Sequence, residues 1–148
     1  MALRFVDTSS DRRPATDLLD ALHREYDARA GRTLIGGPSA APADFAPPGG
    51  TFLLAYEHDR AVACAGLKTV GPGIAELKRM YVVPEARRRG VGRALLRALE
   101  DKARSMGFAA VRLDCQTHNW PLYHRAGYAE IDDYNDNPFA DLWAEKQL

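Results

Sequence analysis

Residues 74–107 constrain this 148-residue chain more than any other stretch. An apolar run from Ile74 to Val83 stops at Pro84, which cannot donate to a strand ladder. Arg87-Arg88-Arg89-Gly90-Val91-Gly92-Arg93 follows, and then Leu95, Ala98, Leu99 and Met106 recur at helical spacing up to Gly107. The pattern predicts a strand, a cation-rich loop and an amphipathic helix closed by Gly107. The first turn of a helix carries amides without internal partners and a partial positive charge, so it favours an anion. Gly90 and Gly92 clear side chains from those amides, and arginines grip phosphate oxygens bidentately. A diphosphate suits such a unit. A lysine-tipped mononucleotide loop is absent, and Leu95 stands where a dinucleotide fingerprint needs its third glycine. A solvated arginine loop shaped by two glycines is the plainer reading and stays open at this point.

The rest of the composition narrows the choice. Lys plus Arg equals Asp plus Glu at 20 each, so the chain has no global basic field of the sort nucleic-acid binders carry. Glu85, Glu100 and Asp101 interrupt the patch formed by Arg87, Arg88, Arg89, Arg93 and Arg97, which speaks against a nucleic-acid interface. No segment approaches the roughly 18 apolar residues of a membrane span. Cys64 and Cys115 lie in apolar contexts, as buried free thiols of a reducing compartment do, and the first residues lack a signal-peptide pattern; the expected location is cytoplasmic. Among His23, His58, His118, His124 and the two cysteines no metal-ligand spacing occurs. The length predicts one domain over residues 1–148.

Around the central unit, Leu3 to Asp7 reads as a strand, and residues 8–11 as capping candidates for a helix that ends near Gly31. Residues 36–50, with four prolines, form a long loop. Residues 51–57 and 61–70 form a hairpin across His58-Asp59-Arg60; further strands lie at 110–113, near 129–131 and at 141–146, with a short helix or turn around Trp120 to Ala126. The chain is mixed α/β.

The stretch Ala75-Glu76-Leu77-Lys78-Arg79-Met80-Tyr81-Val82, with Pro84 and the arginine-glycine loop, resembles the acetyl-coenzyme A binding core of the GCN5-related N-acetyltransferase (GNAT) family. That family's signature is Arg or Gln, two residues, Gly, any residue, then Gly or Ala. Leu122-Tyr123 and Gly127-Tyr128 extend the likeness, which covers residues 52–148. It implies a mostly antiparallel, twisted sheet of about six or seven strands flanked by helices. The implied reaction passes acetyl directly from acetyl-CoA to a primary amine while both are bound, with no metal. Arg87, Arg88, Arg89, Gly90, Val91, Gly92 and Arg93 would hold the diphosphate, and the main chain of Tyr81, Val82 and Val83 the pantetheine arm. The Val82 amide would polarise the thioester carbonyl.

An alkylammonium with a pKa near about 10 must shed a proton before it attacks. The resemblance makes Glu76 the general base, direct or through water, and Tyr123 the acid that returns a proton to the thiolate. The plainer roles are a glutamate paired with Lys78 and a packed aromatic. Asn119, the counterpart of the family's cofactor-binding asparagine, stands only four residues before Tyr123, so this connection is short. His118 and His124 are alternative proton carriers. Tyr26 and Tyr134, the latter among Asp132, Asp133 and Asp136, are candidate walls for a small-molecule or peptide amine. Family members are often homodimers. A non-catalytic acyl-CoA sensor is the competing function, and a basic-loop nucleic-acid-binding domain the more distant one.

Overall fold

A computed structural model describes residues 2–31 and 40–148. Seven strands, β1 (Leu3–Asp7), β2 (Gly50–Glu57), β3 (Arg60–Gly71), β4 (Ile74–Val82), β5 (Ala110–Cys115), β6 (Ala129–Ile131) and β7 (Leu142–Gln147), form one sheet in the order β1-β2-β3-β4-β5-β7-β6. Every neighbouring pair is antiparallel except β4–β5. The mixed α/β, mostly antiparallel architecture implied by the sequence is therefore what forms. Among the described residues three α-helices accompany the sheet: α1 (Ala15–Ala30), α2 (Val91–Ser105) and α3 (Trp120–Arg125).

A parallel pair needs a crossover, and α2 supplies it between β4 and β5. Its buried residues Val91, Leu95, Leu96, Leu99 and Ala103 follow the predicted helical spacing and form one core with Ala75, Leu77, Val111 and Leu113 of those strands. The turn after β4, Pro84–Ala86, is 3₁₀, and Gly90 (φ 81°) then takes the left-handed conformation that starts the helix.

Two departures from the sequence reading are local. α1 begins at Ala15 after Pro14 with no side-chain cap, so residues 8–11 do not cap it; Ser9 hydrogen-bonds Asp11 instead. Of the loop expected over 36–50, positions 36–39 lie outside the described residues. Within the remainder, Pro42–Phe45 makes a 3₁₀ turn that seats Phe45 edge-on against Phe52, ring centroids 5.7 Å apart. Gly66 makes room for it: a Cβ there would lie 2.5 Å from the Phe45 ring.

The β3–β4 register slips between Cys64 and Gly66, and Arg79 (φ 58°) is the bulged residue. The Arg79 guanidinium donates to the Ala40 carbonyl at 2.6 Å and lies over the Phe45 ring, which ties the segment after residue 40 to the kink in β4. On the other side of β4, pairing with β5 is confined to Ile74–Ala110, Ala75–Val111 and Glu76–Arg112. β4 continues to Val82 and β5 to Cys115 without pairing to each other, so the two strands part beyond Glu76.

Candidate active site

The open edge of β4 follows from hydrogen-bond alternation. The Val83 amide donates to Val62 at 2.9 Å, so Val83 and Tyr81 bond to β3, while Val82 between them turns its N–H and C=O away, into the gap. The Val82 carbonyl there accepts from Arg87 Nε at 2.8 Å. At the helix end, the first intrahelical bond runs from Ala94 to Gly90, which leaves the amides of Val91, Gly92 and Arg93 as the unpaired first turn. Gly92 packs against Leu122 and Val82, and its Cβ position is 3.6 Å from the Leu122 side chain.

The arginines do not act alike. Arg87 donates to both carboxylate oxygens of Glu25 on α1, at 2.8 and 2.6 Å, and stacks on Tyr81. Burial works to raise the Glu25 carboxyl, but hydrogen bonds from Arg87 and Tyr81 outweigh it and hold it below the ordinary range. Burial and the same contact push the Tyr81 phenol up to about 12. Arg89 makes a bidentate pair with Glu57 at 3.0 and 2.8 Å. Arg88 is exposed and sits at φ 62°, and Arg93 is exposed on the first turn of α2. Glu25 carries no motif, so the sequence offered no sign of its part.

Where the strands part, a polar network fills the vertex. Glu76 is 2% exposed. One of its oxygens accepts from the Tyr134 hydroxyl at 2.5 Å and from Asn135 Nδ2 at 3.2 Å, and the other lies 3.3 Å from Lys78 Nζ. Lys78 also lies 3.9 Å from Asp114, across the gap. Asn135 donates to Asp114 at 2.6 Å and accepts from the Trp143 indole at 2.8 Å, so one amide fixes both carboxylates. The Arg112 guanidinium lies 5.4 Å from the Tyr134 ring centroid. Glu76 is thus paired with Lys78, but on a central strand and inside a network. Asp133 accepts from the amides of Asn135 and Asp136, a turn role, while Asp132 and Asp136 are exposed. Asp114, Asn135 and Trp143 were not singled out in the sequence. Alternation along β5 places Asp114 on the face opposite the buried Leu113, but only the folded turn brings Asn135 to it.

Tyr123, 6% exposed, donates to Met80 Sδ at 3.4 Å. Burial raises its phenol, with Tyr26, Cys115 and Asp114 adding to the effect. The short approach from Asn119 therefore leaves Tyr123 facing β4: the segment Thr117–Asn119 is 3₁₀ and Asn119 precedes α3 without capping it. Tyr26, partly buried on α1, is raised first by burial and then by Asp114. Arg29 contacts His118, and desolvation followed by that cation lowers the imidazole. His124 is exposed and packs its ring against Trp120. Among the described residues no group of His, Cys, Asp and Glu could hold a metal ion, and no helix is long and apolar enough to cross a membrane.

A mixed sheet whose one parallel pair diverges into a gap, with an unpaired main-chain amide on one wall and a glycine-led helix N-terminus at its mouth, defines the acyl-CoA N-acyltransferase fold. Residues 12–128 match the model of the acetyltransferase (GNAT) family. The chain belongs to that family and is an N-acetyltransferase. It is 36% identical over 111 residues to an IAA acetyltransferase of Azospirillum brasilense, covering 70% of this chain and 71% of that one. An uncharacterized N-acetyltransferase of Schizosaccharomyces pombe is 31% identical over 103 residues, or 66% of this chain and 63% of that protein. Among solved structures, a GNAT-family acetyltransferase of Staphylococcus aureus shares the fold at TM-score 0.79 and 17% identity, over 99% of each chain. The PaiA N-acetyltransferase of Thermoplasma acidophilum, solved in complex with coenzyme A, shares it at TM-score 0.75 and 18% identity over 100% of each.

Proposed function

We propose that acetyl-CoA lies in the gap between β4 and β5 and that its acetyl group passes directly to a primary amine bound beside it. The observation that carries this reading is the Val82 amide, turned into the gap without a strand partner, beside the unpaired first turn of α2. The pantetheine arm adds to that edge as a strand would, and the diphosphate meets the amides of residues 88–93. Arg88 and Arg93 are the arginines placed to reach it, while Arg87 and Arg89 enter by exchanging Glu25 and Glu57 for phosphate. The solved coenzyme A complex of the Thermoplasma relative, which has this fold, supports the choice of carrier.

The amine nitrogen attacks the thioester carbon, a main-chain amide of β4 stabilises the oxyanion, and the carbon–sulfur bond breaks. Tyr123 protonates the departing thiolate; its hydroxyl already donates to a sulfur, the Met80 thioether that lines β4. Glu76 takes the proton that the ammonium sheds before its nitrogen attacks. Along an extended strand Glu76 and Val82 stand about 20 Å apart, so that proton travels through intermediaries. Tyr26 and Tyr134 wall the amine site. Two buried free cysteines support a cytoplasmic setting for the reaction.

The test is thiol release from acetyl-CoA with a panel of polyamines, amino acids and peptide N-termini. Glu76→Gln is expected to lower turnover at pH 7 by about 10²-fold with acetyl-CoA affinity kept within twofold. Coenzyme A binding without acetylation of any amine would favour the sensor reading.

A further inference from the structure

The Glu76 carboxylate, 2% exposed and with both oxygens engaged, cannot meet an acceptor amine directly. A proton must enter through one of its three donors. Asn135 is an amide, which neither gains nor loses a proton near neutrality. Lys78 stands between two carboxylates, 3.3 Å from Glu76 and 3.9 Å from Asp114, and passing its proton on would leave both carboxylates beside a neutral amine. The Tyr134 phenol has neither defect. It donates one proton to Glu76 at 2.5 Å, and its remaining lone pairs can accept another in the same event, so it ends neutral.

Its placement fits that work. Tyr134 is only partly buried, whereas the carboxylate behind it is closed off. The Arg112 guanidinium holds the ring in place from β5, and the neighbouring Asn135 is pinned to Asp114 and Trp143, so the phenol is fixed on both sides. Burial, then the bond to Glu76, raises the phenol above its ordinary range, which keeps it protonated and rules out a standing phenolate base.

We propose that Tyr134 is the proton relay of the transfer reaction, handing its hydroxyl proton to Glu76 while accepting one that reaches it from the acceptor amine along bound water. This rests on the transferase reading above. The protons balance. The ammonium loses one through Tyr134 to Glu76, which returns it to solvent through Tyr134 after turnover. The nitrogen of the tetrahedral adduct loses a second as the carbon–sulfur bond breaks; Tyr123 protonates the thiolate, and that second proton restores the Tyr123 phenol. Amide, free coenzyme A and one proton result.

The experiment follows thiol release from acetyl-CoA with the best amine of the panel, from pH 6.5 to 10, for wild type, Tyr134→Phe, Glu76→Gln and the double variant. Tyr134→Phe is expected to lower kcat about 10²-fold at pH 7, with KM for acetyl-CoA within twofold. The deficit closes as pH approaches the ammonium pKa of about 10, where free amine no longer needs a relay. The double variant loses no more than Glu76→Gln alone. The charged groups around the pair, Lys78 from β4, Arg112 and Asp114 from β5, Glu145 of β7 paired with Arg112, and Asp133 in the turn that carries Tyr134, are the same in all four proteins. A kcat unchanged in Tyr134→Phe, or lowered equally at every pH, overturns the relay and leaves the transferase reading standing. Wild type that releases no thiol with any amine overturns both. A thermal melt within a few degrees of wild type shows that Tyr134→Phe is folded; if it is not, the pH dependence of Glu76→Gln decides, and a pH-independent deficit there overturns the relay.

Discussion

Tyr123→Phe is expected to lower turnover by at least about 10²-fold while acetyl-CoA affinity stays within twofold. The substitution removes one oxygen and keeps the ring that packs edge-on against Tyr128, centroids 5.9 Å apart. The hydroxyl's only protein partner among the described residues is a thioether, a weak acceptor, so its loss costs little stability. A phenol raised by burial is a poor acid toward a thiolate in water. Burial also pushes the neighbouring Cys115 thiol up to about 12, and under the proposed function a coenzyme A thiolate released beside it would be desolvated likewise and so a stronger base. Single-turnover measurement with separate binding assays checks this. Equal loss in affinity and turnover would assign Tyr123 to binding.

The largest effect on stability is expected at the far end of α2. Glu100 is 4% exposed inside the helix face and accepts from the Tyr128 hydroxyl and from Lys146 Nζ, each at 2.9 Å. Lys146 is the cation that makes this burial tolerable. Lys146→Met leaves a carboxylate with one neutral donor and is expected to cost about 3 kcal/mol, toward the lower end for broken buried pairs because the lysine is itself partly exposed. That lowers Tm by roughly 10 °C. Glu100→Gln in the same background should recover much of the loss, since the uncompensated charge is then gone. Differential scanning calorimetry decides, and a Tm within 2 °C of wild type would show that water already satisfies Glu100. Because the same helix presents Gly90 and Gly92 at its other end, coenzyme binding well below Tm should be unaffected.

The unit from β4 to α2 was readable because each of its parts obeys a local rule: an apolar run, a proline, glycines where amides must be open, and a 3.6-residue period. The turn around residues 42–45 was hidden because Phe45 is held by Gly66 and Phe52, contacts from distant strands. The same holds at the cleft. Glu76 and Tyr123 stood out through a family likeness, but Glu25 gains its meaning only when α1 crosses to Arg87, and Asn135 only when its turn folds onto Asp114. The sequence reading treated three consecutive arginines as one anion grip. In the fold their side chains diverge, Arg87 to α1 and Arg89 to β2, because a left-handed residue at Arg88 turns the chain between them.

The central claim is that coenzyme A is held in the gap between β4 and β5 by main-chain groups. Titration of the ¹⁵N-labelled protein with coenzyme A tests it directly, since each amide reports for itself. The largest shifts are expected at Val82, Gly90, Gly92 and Arg93, with smaller ones at Glu25 as Arg87 exchanges partners. Binding that leaves Val82 and Gly92 unmoved, or shifts clustered away from the gap, would contradict it.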